Sequence, residues 1–207
     1  MKLRSLCYMS LALWMSTLWL AASVVRAHPE PALVSDAWQL DFTHDLPQPI
    51  AVVDINGQYR WYWYIAYKVV NHSGEDQVFV PEVTIATDNG AVTQADQGVP
   101  AMVFEAIQQR VGNPLLESPS QIIGPILQGP DHAKEGVIIW AAPEEDVDQI
   151  SVFITGLSGE TQTIPNPVTQ EPVLLRKTLM IEYATPGSNM NLQNQPILEK
   201  SRRWIMR

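Results

Sequence analysis

Four histidines, His28, His44, His72 and His132, are the only imidazoles in a chain of 207 residues, and Cys7 is its one thiol. His28 offers the most specific chemistry of the five. It follows Val25-Arg26-Ala27, a small-residue exit that suits cleavage after Ala27, and cleavage there makes His28 the first residue of the mature chain. A free α-amine and the ring nitrogen of one N-terminal histidine chelate Cu(II). A second imidazole, from His44, His72 or His132, completes a donor set that copper favours. Copper held at His28 is thus one expectation, set against a plain solvated leader, His28-Pro29-Glu30-Pro31.

The remaining polar constellations point to weaker chemistry. Asp131, His132 and Glu135 form one oxygen-rich group, and Glu144, Glu145, Asp146 and Asp148 form another. Carboxylates suit hard cations, but neither group has the spacing of a calcium-binding loop, and both fall where solvated acidic loops are the commoner outcome. Gly156-Leu157-Ser158-Gly159 begins like a nucleophile elbow, then fails at Glu160 and lacks the strand-turn-helix setting. No zinc-protease, P-loop or dinucleotide fingerprint is present. The expectation is a protein that binds rather than catalyses. Asn71-His72-Ser73 matches a glycosylation acceptor, and a turn explains it equally well.

The most concentrated feature is aromatic. From Gln58 to Val70 the chain reads Tyr59, Trp61, Trp63, Ile65, Tyr67 and Val69 on one face and Arg60, Tyr62, Tyr64, Ala66, Lys68 and Val70 on the other. Alternation at a period of two with β-branched and aromatic residues marks a central strand. Core packing accounts for Trp61, Trp63 and Tyr67. Tyr62 and Tyr64 are the informative pair: exposed, they form a ligand platform for a sugar or peptide; buried under a helix, they are core.

The elements that must position these residues are mostly strands. Alternation predicts strands over 37–43, 50–53, 58–70, 78–80, 83–87, 91–93, 136–140, 149–155, 161–164 and 173–183. Asn56-Gly57 is a hairpin signal. The period changes to helical after Pro100, where Met102, Val103, Ala106, Ile107 and Val111 recur, and Ser118-Pro119 predicts a second, kinked helix carrying Ile122, Ile123, Ile126 and Leu127. Strands without βαβ alternation predict a mainly β, antiparallel sandwich with a helical insertion over 99–128. The domain is expected over 36–185, after a leader at 28–35 and before a tail at 186–207 whose Lys200-Ser-Arg-Arg stretch is basic.

Residues 1–27 combine a basic start, an apolar run from Leu6 to Leu20 and the small-residue exit, the pattern of a secretory signal peptide. The net charge is −9. Removing that segment takes away Lys2, Arg4 and Arg26 and no acid, leaving −12, and it also removes Cys7, so the mature chain has no disulfide. Strong acidity argues against nucleic acid or an anionic membrane as partner. The expected address is periplasmic or secreted, without stable membrane insertion after cleavage.

The stretch Trp61-Tyr-Trp-Tyr, with Tyr67-Lys-Val-Val-Asn71 and Gly74-Glu-Asp, resembles a group of secreted bacterial proteins of unknown function. Leu157-Ser-Gly-Glu-Thr-Gln-Thr163 and Leu174-Leu-Arg-Lys-Thr178 are similar to the same group, and the layout resembles immunoglobulin-like sandwich modules. The resemblance implies fold and compartment and brings no activity. The functional expectation is an envelope or extracellular module that binds a protein or glycan, with a copper protein built on His28 as the alternative.

Overall fold

A computed structural model describes residues 29–34, 37–143, 146–185 and 197–207. In chain order the elements are β1 (Asp41–His44), β2 (Gln48–Val53), β3 (Tyr59–Val70), β4 (Gln77–Phe79), β5 (Glu82–Thr87), β6 (Val92–Gln94), α1 (Ala101–Val111), β7 (Leu116–Glu117), β8 (Gly124–Ile126), β9 (Lys134–Ala141), β10 (Gln149–Thr155), β11 (Thr161–Pro165), β12 (Pro172–Ala184) and β13 (Leu198–Met206). Two sheets face each other. The first has β3 at its centre, with β9 on one edge and β1 and β2 end to end on the other; β7 adds to β9. The second runs β11–β12–β10–β5–β6, with β13 on the free edge of β12. Among the described residues every strand-to-strand pairing is antiparallel except that of the two-residue β7, and one isolated bridge, Asn71 to Gln128, is parallel. The fold is an antiparallel β-sandwich.

Alternation explains why the layers stack this way. Trp63, Ile65, Tyr67 and Val69 of β3 and Ile138 and Trp140 of β9 meet Ile85, Val152, Ile154, Leu179, Ile181 and Tyr183 of the second sheet in one apolar core. The opposite face of the first sheet is covered too. Val103 and Ile107 of α1 pack on Ile50, Tyr62, Tyr64, Val137 and Ile139, giving a third layer. Residues at 103 and 107 lie one turn apart, so a single helix stripe suffices to cover that face.

The segment before β1 ties the two sheets together. Leu40 N–H donates to Leu157 O, and Gly159 N–H donates to Trp38 O, so 38–40 pair with the connection between β10 and β11 before β1 joins the first sheet. Gly156 is required there. Its φ is +85°, and a Cβ would sit 2.2 Å from the Val80 carbonyl oxygen.

Three local expectations are corrected. The predicted second helix after Ser118 is a single turn, Ser118 to Ile122, followed by β8 paired to β4. Pro125 has no N–H and forces Gly124 out of helical conformation, which overrides the helical spacing of the isoleucines. The predicted tail contains a nine-residue strand, β13, which buries Met206 and packs Trp204 against the core. The Asn56-Gly57 turn is a three-residue loop in which only Gly57 has positive φ, with Gly57 N–H donating to Asp54 O. That is the type I turn with a glycine bulge, not the two-residue form.

Candidate binding surface

The β2–β3 hairpin is longer than the sandwich it belongs to. Pairing of β3 with β9 stops at Tyr62 opposite Ala141, whereas pairing with β2 continues to Tyr59 opposite Val53. Past that pair Ala142 N–H still donates to Trp61 O, and among the described residues Arg60 and Tyr59 pair with β2 alone. The hairpin's side chains on the inner-face register run out of core to cover: Trp61 is 47% exposed and Tyr59 74% exposed, with Val53 directly across from Tyr59 at 46%. Ile55 at the apex is 90% exposed. Two residues further along the same face, Trp63 is buried against Trp140.

The tip is built to hold its shape. Asp54 Oδ1 accepts the backbone N–H of both Asn56 and Gln58, and Asp54 Oδ2 accepts Arg60 Nε at 3.0 Å. Those backbone hydrogen bonds, first that from Gln58, hold the Asp54 carboxyl below the ordinary aspartate range. Pre-organised aromatic side chains lose little freedom when a partner covers them, which is why Tyr and Trp concentrate at interface centres.

Tyr62 and Tyr64, the expected platform, are buried at 7% and 3% exposure beneath α1, so they are core and present no surface to a ligand. The Tyr64 hydroxyl donates to Gln48 Oε1 at 3.0 Å. Trp61, expected in the core with Trp63 and Tyr67, is instead half-exposed. The signal that separates these rings is the length of β9, a neighbour far along the chain, and no local pattern carries it.

His44, His72 and His132 each sit in different surroundings. His28, with the copper chemistry expected there, lies outside the described residues. His44 is enclosed at the sandwich edge between β1 and β13, where its Nδ1–H donates to Asp45 O and its Nε2 accepts Arg202 Nη2 at 2.6 Å. Tyr183 meets the same ring edge-on. Burial is the largest cause that holds the His44 imidazole below its ordinary value, and the Arg202 guanidinium acts in the same direction. His72 pairs with Asp41 at the surface, 2.7 Å away. His132 ends a short 3-10 turn, exposed. Glu135, expected beside His132 and Asp131, instead faces Lys68 and receives a hydrogen bond from Asn113. Glu144 and Glu145 lie outside the described residues. Among the described residues no group of three or more His, Cys, Asp and Glu side chains could hold a metal.

The other two motifs resolve as structure. Ser158 Oγ donates to Trp38 O at 3.0 Å and Leu157 is fully buried, so the incomplete elbow is the corner that joins the sheets. Asn71 is fully buried, its amide donating to Glu75 O and Ile126 O while its oxygen accepts from Ser73. An acceptor amide must be accessible, and this one locks a turn.

No protein-family model, curated protein or solved structure matches this chain. No helix among the described residues is long and apolar enough to cross a membrane.

Proposed function

We propose that this chain is an exported, immunoglobulin-like sandwich module that binds a protein partner in the cell envelope through the tip of its β2–β3 hairpin, without catalysing a reaction. The observation that carries the reading is the tip itself. Val53, Ile55, Tyr59 and Trp61 stand in water on a protruding, hydrogen-bonded hairpin. Each exposed apolar ring forgoes about 25 cal/mol for every Å² it would bury. A cluster of such side chains on a projecting edge is the mark of an interaction site rather than of ordinary surface scatter. Tyr and Trp together supply the anchor residues that dominate binding energy at interfaces.

The segment from Trp38 to His44, which bridges to the β10–β11 connection of the second sheet and then pairs with β3 of the first, supports the immunoglobulin-like layout. The apolar run and small-residue exit at the N-terminus support export.

Co-purification from envelope extracts, comparing the native chain with the Tyr59→Ser/Trp61→Ser double variant, tests the binding reading. A partner retained by the native chain and lost from the double variant, with unchanged circular dichroism, supports it. Equal retention by both removes it, and retention of polysaccharide with no protein moves the reading to a glycan.

A further inference from the structure

A second site lies where β6 leads into α1, against Ile139 on the free edge of β9. Asp96 occupies this connection with φ +65°, a left-handed backbone that a non-glycine residue adopts only under constraint. The constraint is visible. Asp96 N–H donates to Ile139 O at 2.7 Å, and Asp96 Oδ1 accepts Ile139 N–H at 3.0 Å, so one residue occupies both backbone groups of β9 on the edge that β7 leaves open. The neighbouring Ala95 N–H donates to Val83 O. The connection therefore bridges the two sheets, and Asp96 Oδ2 is left with no hydrogen-bonding partner among the described residues.

Asp96 lines a cleft of about 470 Å³. Its walls are apolar, from Val83, Val99, Phe104 and Pro119, and its polar groups include Glu82 and Gln94 as well as Asp96. No basic side chain lines it. Charge decides what fits. An anion would meet the Asp96 carboxyl, which has no ion-pair partner among the described residues, and Glu82, whose charge Arg176 already balances; a cation meets in Asp96 a partly buried carboxyl in need of a counter-ion. The walls then favour a cation on an apolar stem. β6 is the last strand of its sheet, all three of its residues are exposed, and Gln94 belongs to both strand and cleft. An extended polypeptide added at that edge passes the cleft and can place a side chain in it.

We propose that this cleft receives a lysine side chain from a partner polypeptide, with Asp96 Oδ2 as the counter-ion of its ammonium group. The site is independent of the hairpin tip. The charged and titratable groups near Asp96 are Glu82 of β5, paired with Arg176 at 3.6 Å, and Tyr67 of β3; the α1 residues that line the cleft carry no charge. Burial raises the Asp96 carboxyl to about 7, so a bound ammonium must displace a proton below neutrality. Affinity then falls about tenfold per pH unit below 7, which makes binding about 30-fold weaker at pH 5.5 than at pH 8.5.

Backbone-amide NMR titrations of the mature chain test this with three probes: the capped pentapeptide Val-Thr-Lys-Thr-Val, its norleucine analogue and free n-butylammonium. The expected result is that the lysine peptide shifts Asp96, Val99 and Ile139, binds at least tenfold tighter than the norleucine peptide and than n-butylammonium, and weakens about 30-fold at pH 5.5. In Asp96→Asn, whose side chain keeps the Ile139 hydrogen bond and tolerates the backbone, the advantage over norleucine should vanish. Equal binding of lysine and norleucine peptides by the native chain, or binding that does not change with pH, overturns the proposal without reference to any variant. Tighter binding of n-butylammonium than of the lysine peptide overturns the polypeptide as its source.

Discussion

Replacing Asp96 by asparagine should stabilise the protein in alkali and leave it nearly unchanged in acid. The side chain accepts one hydrogen bond, from Ile139 N–H, and loses hydration on burial; burial is the larger effect and lifts the carboxyl from 3.8 to about 7. A group whose folded value is raised contributes stability that is complete below its unfolded value and is lost as pH rises through the folded one. At about 1.4 kcal/mol per unit, the difference between 3.8 and 7 corresponds to roughly 4 kcal/mol. Asp96 is only partly enclosed, and solvent screening reduces this to about 2–4 kcal/mol. Asparagine keeps an acceptor oxygen for Ile139, suits the left-handed backbone and carries no charge. Thermal and urea unfolding of both proteins at pH 4.5, 6.5, 7.5 and 8.5 reads the effect, the difference between them cancelling every other titrating group. The variant should gain about 2–4 kcal/mol at pH 8.5, a midpoint shift of roughly 5–15 °C for a domain of this size, and within about 1 kcal/mol of nothing at pH 4.5. A constant difference across the range would refute the reasoning, because a role confined to hydrogen bonding or backbone strain does not titrate.

Three further outcomes follow from other parts of the structure. His44 is held below its ordinary value, so it penalises folding only where the unfolded imidazole takes up a proton; stability should fall as pH drops below about 6.5, and His44→Gln should flatten that limb, read by hydrogen exchange at β13 amides. Gly156→Ala should cost at least about 2 kcal/mol in urea unfolding, since the methyl group meets the Val80 carbonyl oxygen and φ is +85°; a loss below 0.5 kcal/mol, on the order of a surface change, would contradict the corner geometry. N-terminal sequencing of the exported chain should begin at His28, and a chain that retains Met1 in the envelope would contradict cleavage after Ala27.

Much of the sandwich is legible in alternation. The faces of β3, β10 and β12 follow directly from period-two patterns, as does the helical stripe of Val103 and Ile107. Elements whose pattern serves two periods are less so. Ile122 and Ile126 are both buried and spaced for a helix, yet Gly124-Pro125 makes the second a strand residue. β13 hides behind Lys200, Arg202 and Arg203, although Trp204 and Met206 face inward. The binding tip is illegible for a different reason. Trp61 and Trp63 are identical in type, face and strand, and only the end of β9 at Ala141 separates them. Asp96 lies in Gln94-Ala95-Asp96-Gln97-Gly98, which reads as a polar loop; its burial arises from Ile139, 43 residues away.

The reading that the hairpin tip is the docking surface is tested most directly by a photo-crosslinker placed singly at Ile55, Tyr59, Thr163 and Val168 in cells. All four positions are exposed, and the last two lie on β11 and the loop that follows it. One envelope protein crosslinked from Ile55 and Tyr59, and not from Thr163 or Val168, is the predicted result. Equal crosslinking from all four positions, or none from the tip, would contradict it.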